Sequence, residues 1–218
     1  MRLLLIRHGQ TPSNVRDLLD TEAPGPGLTA LGEAQALALA QGLSDEPIGS
    51  LFASNLTRAQ LTATPMGAEL DLPITVRRGI REVEAGDLEM RGDRDSIERY
   101  MSTIFAWSHG ELDRRIPGGE SGRSVLSRFD EVVDEAAETD AETVALVSHG
   151  AAIRFWCAAR VENVSPEFVA RNGLGNTGIV VLEGKPTAGW HGISWMGEAL
   201  GGPVLDRGEE GPTGEAYP

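Results

Sequence analysis

The chain has 218 residues, enough for one domain that buries a full sheet with helices on both faces, and its 40% hydrophobic content is that of an ordinary globule. A net charge of -14 argues against a nucleic-acid or anionic-membrane partner held through massed Lys and Arg, and leaves room for a small anion where a few arginines converge. The single Cys157 excludes an intrachain disulfide framework.

The first element is the apolar run Leu3-Leu4-Leu5-Ile6, too brief for the core of a signal peptide and read as a doubly buried strand. It delivers Arg7-His8-Gly9-Gln10-Thr11 to the carboxyl rim of a sheet, where open α/β folds place their chemistry. Gly9 there allows a tight turn and the close approach of a ligand. A Pro/Gly-containing loop over 10–26 follows. Thr29 then caps a helix carrying Leu31, Ala34 and Ala38 that ends near Gly42. Residues 50–54 read as a second strand and 56–70 as a helix, with Pro65 either kinking it or marking its first turn. A short strand over 73–76 leads into a charged loop over 77–92 that holds Glu82.

Residues 93–109 predict a helix with Ile97, Tyr100, Met101, Ile104, Phe105 and Trp107. After the break Pro117-Gly118-Gly119-Glu120-Ser121, a helix over 124–137 carries Val125, Phe129, Val132 and Val133 on one face. Residues 143–147 are a second buried strand, followed at once by Ser148-His149-Gly150 and a helix over 151–159, in which Phe155, Trp156 and Cys157 are core residues. The likeness to the N-terminus predicts two adjacent strands emptying onto one rim. Residues 178–182 and 193–196 read as late strands at or near an edge. The expected organisation is one domain over 1–196 and a poorly ordered tail over 197–218, rich in Gly, Pro and acid. No stretch approaches a transmembrane helix, and with one core cysteine the expected location is the cytoplasm.

Taken singly, a histidine after a strand, an arginine at a helix start or a glutamate in a charged loop is unremarkable. As an ordered set they are not. Arg7-His8-Gly9-Gln10-Thr11 with Asn14, Ser54-Asn55-Leu56-Thr57-Arg58-Ala59 with Thr62 and Ala63, Arg81-Glu82 with Gly86 and Glu89, and Val147-Ser148-His149-Gly150 together resemble the histidine phosphatase superfamily, the group of phosphoglycerate mutases and acid-type phosphatases. The resemblance implies a three-layer α/β sandwich with a mainly parallel central sheet. It implies that His8 is the nucleophile that becomes phosphorylated, that Arg7, Arg58 and Asn14 hold the phosphoryl group, that His149 is the second active-site histidine, and that Glu82 is the proton donor.

The chemistry supplies reasons for these residue types. An attacking imidazole must be neutral, which nearby arginines favour, and its other nitrogen needs a partner to fix the tautomer. Guanidinium forks bind two phosphoryl oxygens at once. His149, if protonated, adds a donor to those oxygens. Glu82 can protonate the leaving alkoxide and then take a proton from the water that attacks phosphohistidine, its carboxyl kept protonated with help from a bound phosphate dianion. No metal or other cofactor is expected.

The expected reaction is hydrolysis of a small phosphorylated metabolite. Phosphoglycerate mutase is the alternative, and a catalytically silent phosphate-binding protein of the same fold a second one. The mutases carry a tyrosine and a lysine where this chain has Ala85 and Asp93, and the 117–121 break resembles the phosphatase branch. Arg114 and Arg115 could restore some positive charge. Selectivity is expected in 20–26 and 93–117, folding over the pocket; His109 and His191 read as surface or structural residues, Arg154 is ambiguous, and an exposed late strand permits a homodimer.

Overall fold

The structure is a computed structural model that describes residues 1–197 and 211–217. Within it, strands β1 (Arg2–Arg7), β2 (Ile48–Ser54), β3 (Ile74–Arg77), β4 (Thr143–Ser148), β5 (Ile179–Lys185) and β6 (Gly189–Met196) form one sheet in the order β3-β2-β4-β1-β5-β6. The first four strands run parallel, while β5 pairs antiparallel with β1 and carries β6 as an antiparallel edge. Helices α1 (Pro12–Val15), α2 (Ala30–Gly42), α3 (Thr57–Glu69), α4 (Arg94–Ser108), α5 (Gly122–Ala137), α6 (Gly150–Arg160) and α7 (Pro166–Arg171) complete it.

The three layers follow from the two-residue period of the strands. In β1, Leu3 and Leu5 face one core while Leu4 and Ile6 face the other; in β4, Val144 and Leu146 oppose Ala145 and Val147 in the same way. The first core is closed by α4, α5, α6 and α7 through residues such as Tyr100, Phe129, Trp156 and Val169, the second by α2 and α3 through Leu39, Ala59, Ala63 and Met66. β1 and β4 pair in register from Arg2 opposite Thr143 to Arg7 opposite Ser148, so the two strands end level.

Several expectations shift at their edges. β2 starts at Ile48, because the chain before Leu51 already pairs with β4. Pro65 stands in the interior of α3, not its first turn; the carbonyl that it leaves without a donor belongs to exposed Leu61, and the helix continues to Glu69. α1 is an addition within a stretch read as loop, and α7 lies in a stretch to which no element was assigned. α7 has a signal in hindsight, Ser165 as N-cap followed by Pro166.

Most of the expected tail, 198–210 and 218, lies outside the described residues. Its described end, 211–217, docks on the body: the Leu174 N–H donates to Gly214 O at 2.8 Å and the Tyr217 N–H to Ala170 O at 2.7 Å. Arg154, ambiguous in sequence, donates to the Thr213 and Glu215 carbonyls and, twice, to Val169 O. Among the described residues no helix is long and apolar enough to cross a membrane.

Candidate active site

The level ends of β1 and β4 set His8 and His149 side by side, with ring centroids 5.1 Å apart. The backbone of His8 is held on both sides: its N–H donates to Ser148 O at 3.1 Å, and its carbonyl accepts from the Thr177 N–H at 3.2 Å and Asn176 Nδ2 at 3.1 Å. Thr177 takes a left-handed φ of 57° to do so, strain tolerated beside a functional group. Gly9 is required by protein rather than ligand. A Cβ there would stand 2.7 Å from the Gly32 carbonyl in the first turn of α2, while the Gly9 N–H donates to Thr62 Oγ1 on α3.

The hydrogen bonds of His8 fix its tautomer. Nδ1 lies 2.8 Å from the Gly9 carbonyl, which can only accept, so Nδ1 carries the hydrogen and Nε2 the lone pair. Arg58 Nε donates to that lone pair at 3.1 Å. Burial, then the charges of Arg58 and Arg7, hold the His8 pKa well below 6.5 and keep the ring neutral. Arg58 stands in the first turn of α3; its Nη2 donates to Asp20 O at 3.0 Å, and its buried Nη1 has no partner among the described residues. Arg7 donates from Nη1 to Leu174 O at 2.9 Å. Asn14 forms a capping box with Thr11 that starts α1.

Glu82 arrives from the loop after β3. Its Oε1 accepts the N–H groups of Val83 and Ala152, both at 2.9 Å, and its Oε2 accepts the Ala151 N–H at 3.3 Å. Ala151 and Ala152 open α6, whose N-cap residue is His149, and His149 makes no capping bond. A carboxylate from a distant loop thus does the work usually left to the N-cap side chain. The loop is clamped from beneath: Arg128 on α5 donates to the carbonyls of Gly79, Arg81 and Glu82, and to buried Glu120, which also accepts the Glu84 N–H.

His8, Asn14, Arg58 and Glu82 line a cavity of about 20 Å³, closed by Asp20 and Thr21 from the loop after α1 and by Pro212 and Thr213 from the docked tail. Arg7 and His149 do not line it; both are fully buried next to lining residues or their neighbours, Arg7 against Gly150 and Gly214, and His149 beside His8. All six candidate residues therefore gather in one place. The room left holds about one water, less than a phosphoryl group needs.

Burial, then Arg58, His8, Arg128 and Arg7, push the His149 pKa well below 6.5, which favours the neutral ring over the charged donor that protonation would make of it. Its Nε2 lies 2.8 Å from Ser54 Oγ, and its buried Nδ1 has no partner among the described residues.

The loop 20–26 reaches the cavity, but 93–117 does not. Of that region Arg94, Ile97, Glu98 and Met101 line a neighbouring hollow of about 430 Å³, separated from the cavity by Pro212, which borders both. Asp93 caps α4 and pairs with Arg91; Ala85 is fully buried. Arg114 pairs with Glu111 and Arg115 donates to Gly119 O, so neither adds charge to the cavity. His109 and His191 are surface residues bonded to Glu167 and Asn163. Burial raises the Cys157 thiol pKa, leaving it an inert core group. Among the described residues no cluster of His, Cys, Asp or Glu is arranged to hold a metal.

The residues that sequence reading missed are Ser54, Glu120, Arg128, Asn176, Thr177 and the tail pair Pro212-Thr213. Ser54 and Glu120 lay inside motifs already singled out; the others carry no local signal.

Comparison with known proteins agrees with the geometry. A family model described as histidine phosphatase superfamily (branch 1) matches residues 3–195. PE-PGRS family protein PE_PGRS11 of Mycobacterium tuberculosis strain H37Rv is 33% identical over 217 residues, covering 90% of this chain but 36% of that protein, so the chain spans about a third of that relative's length. The adenosylcobalamin/alpha-ribazole phosphatase of Escherichia coli K12 is 33% identical over 151 residues, 68% of this chain and 73% of that protein. The solved structure of mycobacterial glucosyl-3-phosphoglycerate phosphatase with VO3 superposes with a TM-score of 0.75 at 29% identity, covering 89% of this chain and 98% of that one.

Proposed function

Because the chain belongs to the histidine phosphatase superfamily, we propose that it hydrolyses the phosphomonoester of a small metabolite through a phosphohistidine on His8. The observation that carries this reading is the His8 tautomer. With its hydrogen committed to the Gly9 carbonyl, the ring turns a lone pair on Nε2 toward the cavity wall that Arg58 shares. A phosphoryl oxygen arriving there takes over the Arg58 N–H and frees Nε2 to attack phosphorus.

In the first half-reaction the Nε2–P bond forms as the P–O bond to the alcohol breaks, with Arg58, Arg7 and Asn14 gripping the phosphoryl oxygens. Glu82 gives the departing alkoxide its proton. In the second, Glu82 takes a proton from a water that attacks phosphorus, the P–N bond breaks, and inorganic phosphate leaves with His8 neutral again. Ala85 offers no polar group, and the Asp93 carboxylate is engaged in capping α4. Neither supplies the hydroxyl and cation with which a mutase would retain an acidic substrate for phosphoryl return, which supports release to water. The buried, unpaired Cys157 fits work in a reducing cytoplasm.

The test is turnover of a panel of phosphorylated metabolites by wild type and His8→Ala, with rapid quenching to trap an acid-labile phosphoprotein. Phosphate release and a trapped phosphohistidine, both absent from His8→Ala, are expected. Equal background release from the two proteins overturns the reading, and isomer interchange of phosphoglycerate faster than phosphate release replaces it with a mutase.

A further inference from the structure

We propose that Ser54 fixes His149 as its Nδ1–H tautomer, so that a neutral imidazole presents one permanent N–H donor to the phosphoryl group. Ser54 is in these terms a positioning residue that acts through His149. The receiving group rests on the phosphatase reading above; the tautomer does not.

Hydrogen counting carries the assignment. Ser54 ends β2 with no exposed surface, and its Oγ accepts the Leu56 N–H at 3.3 Å and lies 2.8 Å from His149 Nε2. A serine hydroxyl has one hydrogen to give. Among the described residues His149 Nε2 is the partner to which it can go. If Nε2 carried the hydrogen instead, Oγ would accept two N–H groups, the buried hydroxyl hydrogen would have no acceptor, and Nδ1 would keep a buried lone pair with no donor among the described residues. With the hydroxyl donating to Nε2, the Ser54 hydrogen is satisfied and Nδ1 bears the ring hydrogen, leaving one buried donor open for the phosphoryl group.

The surroundings of Nδ1 give that hydrogen a purpose. Nδ1 is buried and has no partner among the described residues, although His149 occupies the N-cap of α6, where a side-chain acceptor would ordinarily take a free helix N–H. That duty has passed to Glu82, whose carboxylate takes the Ala151 and Ala152 N–H groups. The exchange releases the imidazole from structural work while its ring stays 5.1 Å from that of the nucleophile. A donor placed in advance of the reaction needs no proton uptake and no reorganisation as charge builds on the phosphoryl oxygens.

The experiment is nuclear magnetic resonance of the full chain labelled with nitrogen-15 in its histidines, where two-bond couplings report which ring nitrogen is protonated; His149→Gln assigns the signal. In wild type we expect His149 to be protonated at Nδ1 only, with that signal moving when inorganic phosphate is added. In Ser54→Ala the hydrogen should shift toward Nε2, and kcat/KM on a phosphomonoester should fall about tenfold or more. A wild-type His149 protonated at Nε2 overturns the proposal without any variant. So does a Ser54→Ala protein in which either the tautomer or kcat/KM is unchanged, or a Nδ1 signal indifferent to phosphate. Because the tautomer is read without turnover, an Nδ1–H signal in a protein that hydrolyses no ester would count against the phosphatase reading and leave the assignment of Ser54 standing.

Discussion

The pocket has two halves built on different principles. His8 and His149 extend from β1 and β4, two strands paired residue by residue and buried on both faces, so their separation is set by the sheet. Glu82 hangs from an irregular loop, and its position depends on polar contacts: the Arg128 fork on three carbonyls, Glu120 beneath it, and the Tyr100 hydroxyl donating to Val83 O. The strand-borne half is placed by packing, which many residues share. The loop-borne half is placed by a few hydrogen bonds, each of which a single substitution removes.

The largest expected effect lies at the tip of that second half. Glu82→Gln keeps the shape and an acceptor oxygen for the Val83 and Ala152 N–H groups but removes the transferable proton. We expect kcat to fall by roughly 10²- to 10⁴-fold on an alkyl phosphate. The loss should be far smaller on nitrophenyl phosphate, whose leaving group needs no proton; equal losses on both esters would remove Glu82 from acid catalysis.

Next comes its support. Arg128→Ala leaves three carbonyls without their donor and buried Glu120 with Arg81, 3.3 Å away, as its remaining cation; we expect a drop of about 3 kcal/mol in urea-unfolding free energy, the lower end of what breaking a buried pair costs. Arg123→Ala, on the same helix as Arg128, breaks an exposed pair with Asp113 and should cost under about 1 kcal/mol. Similar losses for the two would mean that the loop is held by something other than the clamp.

This division also explains what could be read in the chain itself. The strand-borne half was legible because apolar runs ending in histidine and glycine record both the burial and the exit from the sheet: Leu3 to His8 and Val144 to His149 each carry that pattern locally. The caps Thr29 and Asp93 are local in the same sense, a side chain answering an amide three residues on. The loop-borne half was not. Arg128 meets the Gly79 carbonyl 49 residues away, and Glu82 meets the Ala152 N–H 70 residues away. Such contacts leave no periodicity, and a Gly- and Pro-rich end such as 211–217 has the composition of a free tail whether or not a buried arginine is waiting for its carbonyls.

Protons probe the strand-borne half. His8 and His149 have folded pKa values well below 6.5, whereas in the unfolded chain they titrate near it. Below pH 6.5 the unfolded state therefore binds more protons, so the folded state is favoured above that pH and loses stability as the pH falls, until the depressed folded values are reached. The loss is up to about 1.4 kcal/mol per pH unit for each histidine. Urea unfolding of wild type against His8→Asn should show the gap between them shifting in the variant's favour through that window. His109 has a raised pKa and must act with the opposite sign, its contribution present at low pH and lost as the pH rises through its folded value. Being exposed, it should contribute far less. A wild type whose unfolding free energy is flat from neutrality down to pH 5 would mean that the two rings accept protons freely and are not the dry, neutral pair described above.

The smallest expected effect asks how redundant the loop's supports are. Tyr100 is fully buried on α4, and its hydroxyl donates to Val83 O at 2.8 Å, one residue beyond Glu82. Burial and the nearby carboxylates, Glu82 foremost among them, raise its pKa, so the phenol remains a donor throughout the working pH range. Tyr100→Phe removes that one hydrogen bond and keeps the ring packed, for a cost of about 1 kcal/mol in unfolding free energy. Because the Arg128 fork grips the loop on its other side at three carbonyls, kcat should move by less than about threefold. A stability loss of that size with unchanged kcat means that the clamp alone sets the position of Glu82. A fall in kcat approaching that of Glu82→Gln would mean that both sides must hold, and that the general acid is positioned between two anchors rather than hung from one.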